Sequence, residues 1–544
     1  MTDRDAAAPR RTVGDEWTVE VAVAEVRSDE DSRLRHVVVI GAGVGGLGAA
    51  LALSRAGHRV TVLERDATPT PATPDEAFEW DRRGAPQVRH SHALLARLHN
   101  LLRDHYPDVL ARLLEAGATE MRFAENLPAT IADREPRPGD EDLVAIACRR
   151  TTFEWVLRTT VLAEDHVSLL DGVAVDGLVA TTDEATGLPL VTGVRVLVDG
   201  EAQVIDADIV VAATGRRTGV PRWLAELDIE LETREEDTGI VYLSRFYRLR
   251  DGVEAPTSEG PIGGDLGYLK YAVFLGDNHT HSVTFAVRTD DADLRSRLLD
   301  PDTFDHAARV LPATSAWVQT ELAEAITPVH VMGGLLNRRI RYLDPDGTPR
   351  LLGFHAVGDA HTCTNPLYGR GCSLAMVQAD LLAESVTAEP LDDDARARHF
   401  EAASAREIEP WYKASVAQDR AARKRAAEEA AAAAAAAGED APATATTDEA
   451  DADFDGDPEV ESQPDMAAEL LRDGLLPAVG IDAVVFRAFI RAFNLLEAPD
   501  SLMNDADVIG RVLTVFQDRD NREPPPPLGP PRDEMLERLD ELAA

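Results

Sequence analysis

The segment Gly41-Ala42-Gly43-Val44-Gly45-Gly46 constrains this chain more than any other. It follows His36-Val37-Val38-Val39-Ile40, a near-continuous β-branched run, and precedes an Ala/Leu-rich stretch that reads as helix to about Ala56. Such a run suits a parallel strand buried on both faces. Gly57 closes the helix, and Arg59 to Leu63 reads as the next strand. Strand, tight turn, helix and strand form the unit of a dinucleotide-binding α/β sheet. Gly41 permits the turn, Gly43 lets the backbone approach a pyrophosphate, and Gly46 lets helix pack closely on strand, with Gly45 in the same turn. The helix start offers free N–H groups and the positive end of its dipole to phosphate. Glu64 closes the second strand, where a carboxylate can accept from both ribose hydroxyls, and Arg65 beside it is a further candidate contact.

The glycine turn does not choose between FAD and a nicotinamide, but a motif late in the chain, Gly358-Asp359-Ala360, favours FAD. Asp208 to Ala213 reads as a buried strand ending at Thr214-Gly215. Leu351 to Val357 reads as another, ending in Gly358-Asp359-Ala360, and Pro366, Gly369 and Gly371 then lead into a helix from about Ser373 to Val386. In a flavoprotein an aspartate at such a place accepts from the ribityl chain. The following helix N-terminus faces the pyrimidine end of the flavin and stabilises negative charge on the reduced ring.

Bulk properties narrow the class. A chain of 544 residues with 44% apolar content can build a substantial core. A net charge of -42 argues against a nucleic-acid partner, which needs a basic face. Three cysteines, Cys148, Cys363 and Cys372, do not make a disulfide framework, so a cytoplasmic, reducing location is expected. The acidic N-terminus lacks the basic-then-apolar order of a signal peptide, and no run of 18 apolar residues predicts an integral membrane segment.

The expected fold class is α/β: a discontinuous Rossmann-like FAD-binding domain, an inserted β-sheet substrate domain and a C-terminal helical segment. Residues 1–33 read as a flexible leader, with Trp17 to Val23 alternating like a short strand. The FAD-binding domain takes 34–235 and 336–400, including helices at about Ser91 to Ala116 and Thr151 to Leu162. The insertion takes 236–335, with strand patterns at Gly239 to Tyr247, Leu269 to Leu275 and Ser282 to Val287. A helical stretch at 401–427 leads to an acidic low-complexity segment at 428–466, whose Ala/Glu/Asp/Thr/Pro composition predicts disorder. Helices return at 467–519, and 520–544 reads as a tail stiffened by Pro524 to Pro531.

Four motifs together resemble a known family. Cys148-Arg149-Arg150-Thr151-Thr152-Phe153-Glu154-Trp155, Asp208 to Gly215, Gly358-Asp359-Ala360 through Asn365-Pro366-Leu367-Tyr368-Gly369-Arg370-Gly371, and Ala85-Pro86-Gln87-Val88-Arg89-His90-Ser91-His92 resemble FAD-dependent monooxygenases of the para-hydroxybenzoate hydroxylase type, nearest the branch of polyether epoxidases and squalene epoxidase-like proteins. The resemblance spans about 36 to 390. It implies that Gly41, Gly43, Gly46 and Glu64 hold the ADP half of FAD. It places Arg150 near the phosphate or ribityl part, Asp359 at the ribityl hydroxyls, and Gln87 and Arg89 near the isoalloxazine ring. Pro366, Gly369 and Gly371 shape the loop against the flavin. It also implies oxygen transfer from a flavin hydroperoxide to a small apolar substrate, by hydroxylation or epoxidation, which demands no dedicated catalytic base.

Departures from the family leave alternatives open. Thr214-Gly215 stands where aromatic hydroxylases carry Asp-Gly, a motif tied to NAD(P)H use, so NADH, NADPH or a separate flavin reductase are all candidate donors. The Trp-x-Trp-x-Ile-Pro signature of flavin halogenases is missing. An FAD-dependent reductase of isoprenoid double bonds, resembling geranylgeranyl reductase, and a non-enzymatic FAD-fold carrier remain as rival readings. His90, His92, His355, His361 and Cys363 match no standard zinc spacing, and His92 is a candidate acid/base group. Tyr268, Tyr271, Phe274 and Phe285 suit a substrate pocket or, better, a sheet core.

Overall fold

In the computed structural model, residues 34–198, 200–256, 262–437, 469–523 and 526–543 are described. The leader, with its strand-like Trp17 to Val23, and most of the acidic 428–466 segment lie outside them.

A five-stranded parallel sheet organises the first domain. Its spatial order is Phe354–Ala356, Ile209–Ala212, His36–Ile40, Arg59–Glu64 and Val167–Asp171. The central strand pairs Val37 with Ile209 on one side and with Val60 on the other. Val37, Val38 and Val39 are wholly buried because both sheet faces are covered. Helices Val44–Arg55, Arg150–Val161 and Gly371–Ala388 pack on one face around Leu47, Leu51, Phe153 and Met376. An antiparallel sheet of Ala174–Thr182, Pro189–Val198 and Glu201–Asp206 covers the other, with Val194, Val196 and Trp223 in the seam.

The inserted domain is an antiparallel sheet in the order Gly263–Asp265, Leu269–Leu275, Thr280–Arg288, Ile240–Leu249 and Ala323–Ala325, with His330–Met332 also pairing Ile240–Leu249. Alternation divides its faces. His281, Val283, Phe285 and Val287 are buried on one side, with Tyr271, Phe304, Met535 and Leu539 sharing their core. Ser282 and Thr284 point the other way, toward the first domain, where both accept or donate at Ser91 Oγ (2.6 Å each). A small sheet of Glu232–Asp237, Leu336–Arg341 and Thr362–Cys363 joins the two domains.

Four differences from the sequence expectation have physical causes. The stretch expected as one helix from Ser91 is two, Ala96–His105 and Pro107–Glu115, because a residue before proline leaves the helical region. Helix Glu409–Ala437 runs ten residues beyond 427, since alanine sustains a helix without packing. The expected tail ends in a helix, Arg532–Ala543, whose Met535 and Leu539 close the core of the inserted sheet. The antiparallel sheet over 174–206 was not expected, although its Asp183–Leu188 turn carries the Asp side-chain bonds to Thr186 that initiate such turns. The C-terminal helices dock on the first domain. Ala483 and Phe486 meet Leu127 and Ile131, and Asn494 Oδ1 accepts from Ala96 N (3.0 Å), capping helix Ala96–His105.

Candidate functional site

The glycine turn is built as its sequence requires. Gly41 takes φ +105°, and a Cβ there would lie 2.6 Å from Ala213 O. A Cβ on Gly46 would lie 1.8 Å from Gly41 O, so helix and turn touch through backbone alone. Gly43 differs: nothing lies within 4 Å of its added Cβ. It precedes Val44–Arg55 without any side-chain cap, so the first-turn N–H groups point into open space beside it. A Cβ on Gly45 would lie 3.6 Å from Ala375 Cβ, 3.8 Å from Val357 Cγ2 and 3.9 Å from Gly358 Cα, so the first and last motifs meet here. Thr214 Cα lies 3.7 Å from the Gly41 Cβ position, and Gly215, at φ +67°, also has open space before it. Gly371 begins its helix uncapped and equally uncovered. Three open glycines and two uncapped helix starts thus face the carboxyl end of the parallel strands, where ligands bind in such sheets.

Glu64 is less free than expected. Its Oε2 accepts from Ala42 N (3.0 Å) and Arg82 Nη2 (3.2 Å), and its Oε1 from Asp66 N (2.9 Å). A carboxylate has about four acceptor positions, so one remains for a ribose hydroxyl. Arg82 went unnoticed in the sequence, where Trp80-Asp81-Arg82-Arg83 carries no periodic signal. Its Nη2 also donates to Ala42 O (2.9 Å) and pairs with Glu154 Oε1 (2.9 Å). Glu154 Oε2 in turn accepts from Arg150 Nε (3.3 Å) and Nη2 (3.2 Å), and Arg150 Nη1 reaches Cys372 Sγ (3.4 Å). A buried line of alternating charge therefore runs from the glycine turn to the start of the late helix. Burial works against the Arg150 cation, but Cys372, Glu154 and half-buried Asp359 around it hold its pKa above the usual value.

The other candidates spread to the rim. Arg65 and Arg89 are exposed and Gln87 is half-buried on the short turn Pro86–Arg89. Pro366 starts a single turn to Tyr368, and Gly369 follows at φ +67°, where a Cβ would sit 2.8 Å from Ala93 Cβ. Gly48 was missed, although a glycine inside a helix commonly marks close packing. A Cβ there would come within 2.6 Å of Met376 Sδ on the crossing helix.

Among the described residues no three His, Cys, Asp or Glu side chains gather as a metal-ligand group. His361 instead bonds Thr362 Oγ1 (2.8 Å) and Glu401 Oε2 (3.2 Å), and His355 sits edge-on to Phe400. Tyr271 and Phe285 belong to the outer core of the inserted sheet, with Tyr268 against it. Phe274 pairs with Ser282 on the opposite face.

His90 is buried and His92 half-buried between the domains. His90 Nδ1 bonds Ser244 Oγ (3.1 Å), which continues to Thr284 Oγ1 (2.8 Å). His92 Nδ1 donates to His90 O (2.9 Å), leaving its Nε2 lone pair toward Arg150 Nη1 (3.4 Å). Burial, with Arg150 adjacent, pushes His92 down to about 3, so it stays neutral and is a poor acid/base group near pH 7. Burial likewise takes His90 to about 4, His281 to about 4 and His355 to about 3. Unfolded, each would take up a proton near pH 6.5, so between 6.5 and these values the unfolded chain binds more protons, and folding stability rises with pH and is lost as the pH is lowered. Each fully titrating histidine contributes a slope of about 1.4 kcal/mol per pH unit. Thermal midpoints by circular dichroism should therefore drop steadily from pH 7 to pH 5. A flat profile would contradict the buried neutral histidines.

Residues 39–113 match the NAD(P)-binding Rossmann-like domain family. Over 381 residues the chain is 31% identical to Protein Rv3254 of Mycobacterium tuberculosis, covering 65% of this chain and 73% of that protein. The anhydrotetracycline hydroxylase OxyS of Streptomyces rimosus superposes with a TM-score of 0.50 at 19% identity, over 85% of this chain and 76% of OxyS. The myxobacterial chondrochloren halogenase CndH, an FAD-dependent halogenase, gives a TM-score of 0.50 at 19% identity, over 71% and 82%. No helix among the described residues is long and apolar enough to cross a membrane.

Proposed function

This chain belongs to the family of Mycobacterium tuberculosis Protein Rv3254 and has the fold of FAD-dependent monooxygenases of the para-hydroxybenzoate hydroxylase type, and from that premise we propose that it binds FAD and transfers one oxygen atom of O₂ to a small apolar organic substrate. The observation that carries the reading is the set of open glycines, Gly43, Gly215 and Gly371, beside two uncapped helix starts. A Cβ at any of them would fill the space a dinucleotide needs. Bound FAD supplies the redox and oxygen chemistry, which no side chain of the protein can replace.

The chain's own residues bind, orient and exclude water. Gly41, Gly43, Gly45 and Gly46 with the first-turn N–H groups receive the pyrophosphate, and Glu64 and Arg65 the adenosine side. Arg150, held by Glu154 and by neutral His92, faces the phosphate or ribityl part, and Asp359 accepts from ribityl hydroxyls. Thr214, Gly215, Gly358, Pro366, Gly369 and Gly371 shape the walls, and Gln87 and Arg89 lie beside the ring. The inner face of the inserted sheet, with Tyr242, Ser244 and Ala286, closes over the reacting centre and keeps water out. We assign no catalytic side chain. NADH, NADPH or a separate flavin reductase delivers the electrons, and three free, buried cysteines suit a reducing cytoplasm.

Purified protein should be yellow, and Asp359→Ala should retain less flavin. Product formation should consume O₂ in proportion. A colourless chain that refuses micromolar FAD would refute the reading, and product made without O₂ would point to double-bond reduction instead.

A further inference from the structure

We infer that Asp419, on helix Glu409–Ala437, is the positioning residue of the loop Asn365–Gly371, holding it against the cofactor; the inference rests on the FAD reading above. Asp419 is 4% exposed and makes no ion pair among the described residues. Its carboxylate accepts from Asn337 Nδ2 (2.7 Å), Asn365 Nδ2 (2.8 Å) and Tyr368 OH (2.9 Å). Two of these donors belong to the loop itself. The third, wholly buried Asn337, braces it: Asn337 Oδ1 accepts from Asn365 N (2.8 Å). Asn365 Oδ1 then accepts from Leu367 N (3.0 Å) and Tyr242 OH (3.4 Å), so the network ties helix, loop and inserted sheet at one point.

A carboxylate is a costly residue to bury, and a neutral structural anchor would ordinarily be an amide. Here an amide fails on simple counting. Three donors converge, and an Asn side chain has one acceptor oxygen and would turn its NH₂ toward another donor. The aspartate also leaves a negative charge behind the loop that ends at the uncapped start of helix Gly371–Ala388, which favours that sign. Arg370 feels that charge but makes no direct ion pair with it among the described residues. Arg370 is buried, lies over the Tyr368 ring (4.6 Å) and the Trp411 ring (5.0 Å), and donates to Ser415 Oγ (3.0 Å). The loop is thus tied to helix Glu409–Ala437 twice, by Asp419 reaching from the helix and by Arg370 reaching from the loop to Trp411 and Ser415, while Gly371 is open.

The test uses full-length Asp419→Asn, Asp419→Ala and Asp419→Glu proteins, with FAD as the probe. Dissociation constants are read from flavin fluorescence quenching, and the shape of the bound-flavin absorption band is recorded. Asp419→Asn and Asp419→Ala should weaken FAD binding at least about tenfold and broaden the band of the flavin that remains, with Asp419→Glu recovering part of both. Should the alanine variant fold poorly, Tyr368→Phe removes a single hydrogen bond and should still weaken binding several-fold while far-UV circular dichroism is unchanged. Wild-type protein that binds FAD, with Asp419→Ala or Tyr368→Phe giving the same constant and band, overturns this inference alone. Wild-type protein that takes up no FAD overturns the cofactor reading and the inference with it.

Discussion

Asp277→Ala should destabilise the protein by about 3–5 kcal/mol, because buried Arg149 loses its close partner and keeps only exposed Asp75 at 3.5 Å. Asp277 is wholly buried in the hairpin between Leu269–Leu275 and Thr280–Arg288 of the inserted sheet. It accepts from Arg149 N (2.7 Å), Nε (3.0 Å) and Nη2 (2.6 Å), and from Thr152 Oγ1 (2.8 Å), at the start of helix Arg150–Val161 in the first domain. Burial alone would raise its pKa, but the hydrogen bonds and charge of Arg149 prevail and hold the carboxyl below the usual range. That sign means the pair's contribution is present above the ordinary carboxylate pKa and is lost only as pH falls through the depressed value. Arg149 also lies over the Phe78 ring (4.8 Å), so its guanidinium has nowhere to move when the carboxylate goes. Urea unfolding midpoints would check the figure. The double variant Arg149→Met/Asp277→Leu should recover most of the loss, because two apolar groups leave no orphaned charge. A single-variant cost under about 1 kcal/mol would show that water reaches the pair.

The same contact marks the boundary of what the sequence could reveal. Elements whose pattern is local were legible: the β-branched run at His36–Ile40, the glycine turn, and the alternation of Thr280–Arg288 all reflect immediate neighbours. Gly41 and Gly46 were readable because only glycine tolerates their backbone approach. Arg82, Asp277 and Asp419 were not. Each is an ordinary charged residue in sequence, and its importance arises from partners 18 to 128 positions away. Glu64 shows an intermediate case. Its position at the end of the second strand was evident, but not the three donors that occupy most of its oxygens. The helix Arg532–Ala543 was hidden for another reason: Pro524 to Pro531 masks a short amphipathic stretch whose apolar face has meaning only against the inserted sheet.

Two glycine substitutions should separate folding from cofactor binding. Gly46→Ala puts a methyl 1.8 Å from Gly41 O and 3.2 Å from Ala213 Cβ, distances no rotamer can relieve because the first obstacle is backbone. The turn must shift and the helix Val44–Arg55 must lift from its strand, so the variant should lose both stability and FAD binding. Its unfolding midpoint should fall even without cofactor. Gly43→Ala meets nothing within 4 Å, and its backbone, at φ -85°, suits any residue. The folded chain should accept it with a midpoint close to wild type. Its methyl nevertheless occupies the approach to the uncapped first-turn amides, where the pyrophosphate must come within hydrogen-bonding distance. FAD affinity should drop by a factor of at least about 100, or about 2.7 kcal/mol. The comparison is made by titrating each apo-protein with FAD and following flavin fluorescence, alongside urea unfolding of the same samples. If Gly43→Ala binds FAD like the wild type, the open space beside that residue is not where the phosphates lie.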